Sequence, residues 1–151
     1  MLPTKKNSKY TQGVFIPKNI DKFIGSKAFY RSSLELRFMK FCDFNENVLK
    51  WGSENVIIPY INPLDNKMHR YFVDNFVMIK EGNITKKYLV EIKPSSQLNP
   101  PKTKYRKKSN LIYEQTMWVT NQAKWHAARE WCSKKGLTFI IITEKQLTVN
   151  K

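Results

Sequence analysis

Residues 70–94, RYFVDNFVMIKEGNITKKYLVEIKP, leave the chain little choice but a β-hairpin. Residues 71–79 are rich in strand formers and alternate loosely, Glu81-Gly82-Asn83 is a turn signal, and 87–92 is a second short strand. Side chains alternate along a strand, so Glu91 and Lys93 share a face while Ile92 turns to the core. Asp74 lies on the first strand, 17 residues before Glu91, where pairing brings the two side by side. Two carboxylates and a lysine crowded on one sheet edge repel and desolvate one another unless something binds there. A hard divalent cation held by carboxylate oxygens answers that requirement.

The flanking segments read as follows. Residues 1–18 are polar and basic, with Lys5, Lys6, Lys9 and Lys18, and are expected to be an N-terminal arm ahead of a single domain, 19–151. A helix is expected over about 33–44, with Leu34, Phe38, Phe41 and Cys42 on its buried stripe. Ser32-x-x-Glu35 is a capping box at its start, with Glu35 reaching back to the N-cap amide. Residues 54–58 read as a strand ended by Pro59, and 63–68 as a polar loop. His69 reads as a surface residue rather than a ligand. Beyond Lys93, Pro94 and Pro100-Pro101 break regular structure. The run KTKYRKK follows, in which Lys102, Lys104, Arg106, Lys107 and Lys108 can clamp phosphates; the plain alternative is a solvated loop. The best helix spans 120–135, with Thr120 as N-cap, Gly136 as C′ residue, and Trp125, Ala128, Trp131 and Cys132 as its apolar stripe. Residues 137–143, LTFIIIT, read as a strand buried on both faces, and 144–147 as a last helical turn.

The ordered set is a helix with Glu35, a strand with Asp74, a turn, Glu91-Ile92-Lys93 on a strand, a basic loop, a helix and a buried strand. It resembles the PD-(D/E)xK nuclease superfamily over most of the chain. Within it the chain is most similar to the head-completion nucleases of T-even phages and, more remotely, to TnsA-type N-terminal endonuclease domains. The order carries the specificity, with Glu35 upstream and residues 121–145 downstream; Val73 stands where the superfamily name has a proline. The resemblance implies an α/β fold, a restriction-endonuclease-like α/β/α sandwich with a mixed central sheet. It implies a Mg²⁺-dependent deoxyribonuclease, with Mn²⁺ able to substitute. Asp74, Glu91 and the carbonyl of Ile92 would ligate the ion, and Glu35 would do so through water or a second ion. Lys93 would orient the attacking water or neutralise charge. A polar residue early in the long helix approaches the phosphate in this family, which points to Gln122 and Lys124. The resemblance also implies action on phage DNA after packaging, in the host cytoplasm or with the virion, beside phage head or neck proteins.

At 151 residues and 41% hydrophobic, the chain can bury a substantial core, and its net charge of +15 calls for a polyanionic partner. No apolar run is long enough for a transmembrane helix or a signal-peptide core. Cys42 and Cys132 read as buried thiols in a reducing compartment, and two Cys with two distant His make no zinc signature. Three function classes compete: the metal-dependent nuclease, a structural or DNA-binding head-completion protein with an inactive nuclease fold, and an RNA-binding module of another fold. The last lacks any RNP, KH or double-stranded-RNA-binding signature.

Overall fold

The computed structural model describes residues 12–104 and 107–147. Most of the expected arm (1–11) and Arg106 lie outside the described residues. The part of the arm that is described is not loose: β1 (Gly13–Phe15) pairs antiparallel with β3 (Ala28–Tyr30), and β2 (Phe23–Ile24) lies between them in sequence. The carboxylate of the fully buried Asp43 ties down the chain that follows β1. It accepts the N–H groups of Lys18 at 2.9 Å and Asn19 at 3.0 Å.

Helix α1 (Ser33–Phe44) begins where expected. Ser32 is extended, and its hydroxyl accepts the Glu35 N–H at 3.1 Å. The reciprocal half of the box is displaced by one residue: Glu35 Oε1 accepts the N–H of Arg31, not of Ser32, at 2.7 Å. Phe38, Met39 and Cys42 are buried, with Leu34 and Phe41 packed against the same cluster.

The next strands differ from expectation. β4 (Val48–Ser53) is followed by a tight turn, and β5 (Ile57–Asn62) runs through Pro59 rather than stopping at it. Among the described residues β5 has only β6 (Lys67–Phe72) as a ladder partner, and a proline is tolerated on such an edge. The supposed polar loop is the turn of this hairpin, closed by Asn66 at φ 62°, a left-handed conformation that Asn adopts more readily than most residues. The expected first strand, 71–79, is thereby split. Tyr71 and Phe72 end β6, β7 (Asn75–Glu81) starts a new sheet position, and Asp74 sits in the break instead of on a strand. β8 (Ile84–Ile92) pairs antiparallel with β7 in the register Asn75↔Val90 to Glu81↔Ile84, so the hairpin itself forms as expected.

Helix α2 (Lys108–Lys135) has 28 residues and starts twelve positions before the expected cap at Thr120, which is buried within it. Nothing between Lys108 and Thr120 breaks a helix, and the added turns lie off the core: Ile112 and Tyr113 are 55% and 66% exposed. Its end is as expected, with Gly136 at φ 74° where a side chain would be strained. β9 (Thr138–Ile142) then runs parallel to β8, and α3 (Glu144–Leu147) closes the described chain.

The central sheet has the order β2-β4-β7-β8-β9, with parallel pairs at both edges and antiparallel pairs between. β9 is therefore an edge strand, although both its faces are covered. One face of the sheet packs Val77, Val90, Ile92, Ile140 and Ile142 against α1. The other packs Leu89, Phe139 and Ile141 against Trp125, Ala128 and Cys132 of α2, and Ile58, Tyr60 and Tyr71 of the β5–β6 ribbon join that layer. This is an α/β/α sandwich with a mixed central sheet, of the restriction-endonuclease-like kind. Both cysteines are buried and free, and burial pushes the Cys132 thiol up to about 11. No helix among the described residues is long and apolar enough to cross a membrane.

Candidate active site

Where β6 gives way to β7, the end of β8 and the first turn of α1 meet around an open cleft of ≈ 480 Å³. Its floor holds Glu35, Asp74, Glu91 and Lys93, the four residues singled out as catalytic. They arrive from three elements. Continuing the β7–β8 register by one step sets Asp74 opposite Glu91. Asp74 Oδ2 accepts the Ile92 N–H at 2.7 Å, which holds the carboxylate against the Glu91-Ile92-Lys93 segment. The Lys93 N–H bonds to the Ile142 carbonyl at 3.0 Å, extending the β8–β9 ladder one residue beyond β8. Ser95 then donates its N–H to Glu144 of α3 at 2.8 Å, which fastens the chain just after Lys93.

Glu91 is buried, and both its oxygens are engaged. The Tyr71 hydroxyl donates to Oε1, and the Lys93 ammonium lies 3.6 Å from Oε2. Burial and the Glu91 charge push the Tyr71 phenol far up, so it stays a donor. Asp74 is held well above the usual carboxylate range by burial and by Glu91. Glu35 is raised as well, by burial first and then by Glu91 and Glu54, against the opposing Arg31 amide and guanidinium. Three carboxyl groups thus face one another at a shared electrostatic cost.

Cations ring this floor. Lys124 of α2 lies 5.4 Å from the Tyr71 ring centroid, and burial lowers its pKa. Arg70 of β6 stacks on Phe72 at 5.3 Å, and Arg31 stacks on Phe29 at 5.7 Å. Arg31 also bonds to Glu54 at 2.5 Å, which raises the guanidinium pKa further. Glu54 reaches the cleft from the β4–β5 turn, where it has φ 55°, and its N–H bonds to the Asp74 carbonyl at 3.0 Å. Gly52 opens that turn, since a Cβ there would meet Asn55 Oδ1 at 1.9 Å.

The remaining expected residues are placed elsewhere. Gln122 is exposed on α2 and does not line the cleft. On a helix, positions 122 and 124 point about 160° apart, so only one of them can face the sheet edge. Lys102, Lys104 and Lys107 on the connection into α2, and Lys108 at its first position, are exposed and outside the cleft lining. Arg31, Glu54, Arg70, Tyr71 and Phe72 line the cleft without having been expected there. Tyr71 was legible only as a strand residue, and Glu54, expected at the start of a strand, sits instead on the turn before β5.

Residues 45–144 match the family described as TnsA-like endonuclease N terminal. The chain belongs to this family. It is also 35% identical over 141 residues, 89% of its length, to the head completion nuclease of Enterobacteria phage T4, of which it covers 92%. Membership places the chain among nucleases of the PD-(D/E)xK superfamily. The family match contains Asp74, Glu91, Lys93 and Lys124, whereas Glu35 and Arg31 precede it.

The donor chemistry of the cleft fits a hard cation. Asp74, Glu91 and Glu35 offer only oxygens, and their mutual repulsion is what a bound divalent ion would relieve. Among the described residues no three His, Cys, Asp or Glu side chains stand close enough to share one ion, so an ion there would need backbone oxygens or water beside the carboxylates.

Proposed function

We propose that this protein is a divalent-metal-dependent nuclease that hydrolyses phosphodiester bonds in DNA and acts on phage DNA during head completion. One observation carries the reading. Asp74, Glu91 and Lys93 meet at the floor of a single cleft, with Glu35 facing them from α1 and cations around the rim. The phage T4 relative, a head completion nuclease, supports the setting.

Asp74, Glu91 and the Ile92 carbonyl would hold Mg²⁺, or Mn²⁺ in its place, with Glu35 acting through water. Such an ion, when bound, supplies Lewis-acid polarisation of a phosphate oxygen and a more acidic water. The chain's own groups do the remaining work. The Tyr71 hydroxyl fixes the Glu91 carboxylate by its donated hydrogen bond, and the Ile92 N–H fixes Asp74. Lys93, beside Glu91, can donate a hydrogen bond to the attacking water or to a non-bridging phosphate oxygen. Lys124 and Arg70 draw the polyanion to an otherwise acidic floor, and the exposed Lys102, Lys104, Lys107 and Lys108 extend the positive surface along the backbone.

The test is cleavage of linear, circular and branched DNA with Mg²⁺, Mn²⁺ or Ca²⁺. Asp74→Ala or Glu91→Ala is expected to abolish Mg²⁺-dependent cutting while DNA affinity stays within a few fold. Ca²⁺, larger and less strict in geometry, should support binding with little turnover. Cutting that persists in EDTA would rule the mechanism out. Binding without cutting under every metal would instead leave a DNA-binding head-completion protein.

A further inference from the structure

The β5–β6 ribbon has one face committed and one face open. Ile58, Tyr60 and Tyr71 turn inward to Trp125 and Ala128 of α2. The pairs Ile57↔Phe72, Pro59↔Arg70 and Ile61↔Met68 lie on the opposite side in three successive rows, about 6.8 Å apart along the strand. Ile57 and Phe72 are each 42% exposed, Ile61 is 50% and Met68 63%. A contiguous apolar face of this kind marks a surface with a partner.

Three features of the face select that partner. It is continuous with the cleft, because Arg70 and Phe72 line both. Its single charge is the Arg70 cation, set between two apolar rows, and none of the six residues is acidic. It also carries no Asn, Gln, Ser or Thr, and so lacks the uncharged polar groups that share base-edge reading in a groove. Ile, Pro, Met and Phe are instead residue types that wedge between base steps, and the Phe ring can also carry a base already out of the stack. A protein partner could use the same apolar rows and the arginine; what favours DNA is that Arg70 and Phe72 also line the cleft, so a substrate seated there reaches the face directly.

We propose that the outer face of the β5–β6 ribbon is a platform for unstacked bases of the substrate. DNA with unpaired bases beside the cut phosphate, such as a fork, a flap or a single-stranded end, is then favoured over intact duplex. Arg70 holds the phosphate between the platform and the cleft, and Phe72 carries the base nearest the cut. The proposal rests on the nuclease reading above and concerns which DNA that site accepts.

The experiment uses the full chain carrying Asp74→Asn, which removes cleavage from the measurement. Binding is read by fluorescence anisotropy on three labelled DNAs of one sequence: a duplex, the same duplex with a forked end, and the single strand. The fork and the single strand are expected to bind at least tenfold tighter than the duplex. Ile61→Ser with Met68→Ser, both exposed and outside the cleft, should erase most of that advantage and leave duplex affinity within twofold. 2-Aminopurine at the unpaired positions should gain fluorescence on binding to the ribbon-intact protein, as it leaves its neighbouring bases, and not on binding to the double-serine variant. Equal affinity for duplex and fork, or an advantage that survives both serines, would overturn the proposal. So would a dimer in sedimentation that the two serines split, because the face would then join two copies of the chain. Failure of the nuclease reading would appear separately, as absence of cutting by the Asp74 parent on every DNA.

Discussion

Glu35 is both a helix cap and a wall of the cleft. Its Oε1 accepts the Arg31 N–H while Glu91 and Glu54 press on its charge. Glutamine can still accept that N–H but carries no charge, so Glu35→Gln separates the two roles. If Glu35 serves the reaction, Glu35→Gln should change stability by less than about 1 kcal/mol, the usual worth of a cap. Cleavage should fall by orders of magnitude, and more Mg²⁺ should be needed. If Glu35 only caps α1, Glu35→Gln should cut like the parent, and Glu35→Ala should lose stability at near-normal activity per folded molecule. Melting curves with single-turnover cleavage on both variants decide between them. The cap was legible in the sequence because it is local, spanning Ser32 to Glu35. The carboxylates that Glu35 faces were legible only as a motif, since β7, β8 and α1 have to assemble before they meet.

At the scale of elements, the described lysines between β8 and α2 (Lys102, Lys104 and Lys107) stand outside the cleft lining, so their contribution would be to the backbone on either side of the cut. Replacing Lys104, Arg106, Lys107 and Lys108 by Gln should weaken binding equally for all sequences. It should also reduce the slope of log K against log salt by about 0.9 for each duplex phosphate that is no longer neutralised. An unchanged slope would make the run a solvated surface. The extra turns of α2 show why this stretch was hard to read. Residues 109–119 bury little, so no apolar stripe announced them, yet they contain no glycine or proline to stop a helix growing back from the well-packed half. The β5–β6 ribbon was missed for the opposite reason. Pro59 and the Pro63–Asn66 turn looked like breakers, and only the ribbon's position as a two-stranded edge makes them compatible with strands.

For the molecule as a whole, a net charge of +15 surrounds a buried acidic floor. Asp74 and Glu35 titrate above their ordinary value of about 4, so the folded state holds their protons more tightly than the unfolded chain does. Their ionised forms therefore cost stability above the raised pKa, and the cost is relieved as pH falls through it. The metal-free protein is expected to gain stability as pH falls through the raised folded-state values toward the range of the unfolded carboxylate. Asp74→Asn should remove most of that gain and raise the melting temperature at neutral pH. Mg²⁺ should flatten the profile too, because a bound cation takes the place of the proton. Melts in EDTA and in Mg²⁺ across this range check it, and identical profiles for parent and Asp74→Asn would mean that the floor does not titrate there.

The chain's local patterns determined α1, the β7–β8 hairpin, the end of α2 at Gly136, and the placement of Glu91 and Lys93 on one face. Each follows from interactions within a few residues, namely capping, strand alternation and a left-handed glycine. Tertiary structure alone decided that Asp74 sits in a break between two sheets, that Tyr71 holds Glu91, and that Arg31, Arg70 and Lys124 ring the cleft while Gln122 does not. Those arrangements join residues far apart in the chain, or depend on which side of a helix meets the sheet. No local periodicity encodes them, because the choice is made by burial of the two apolar layers on either side of the central sheet.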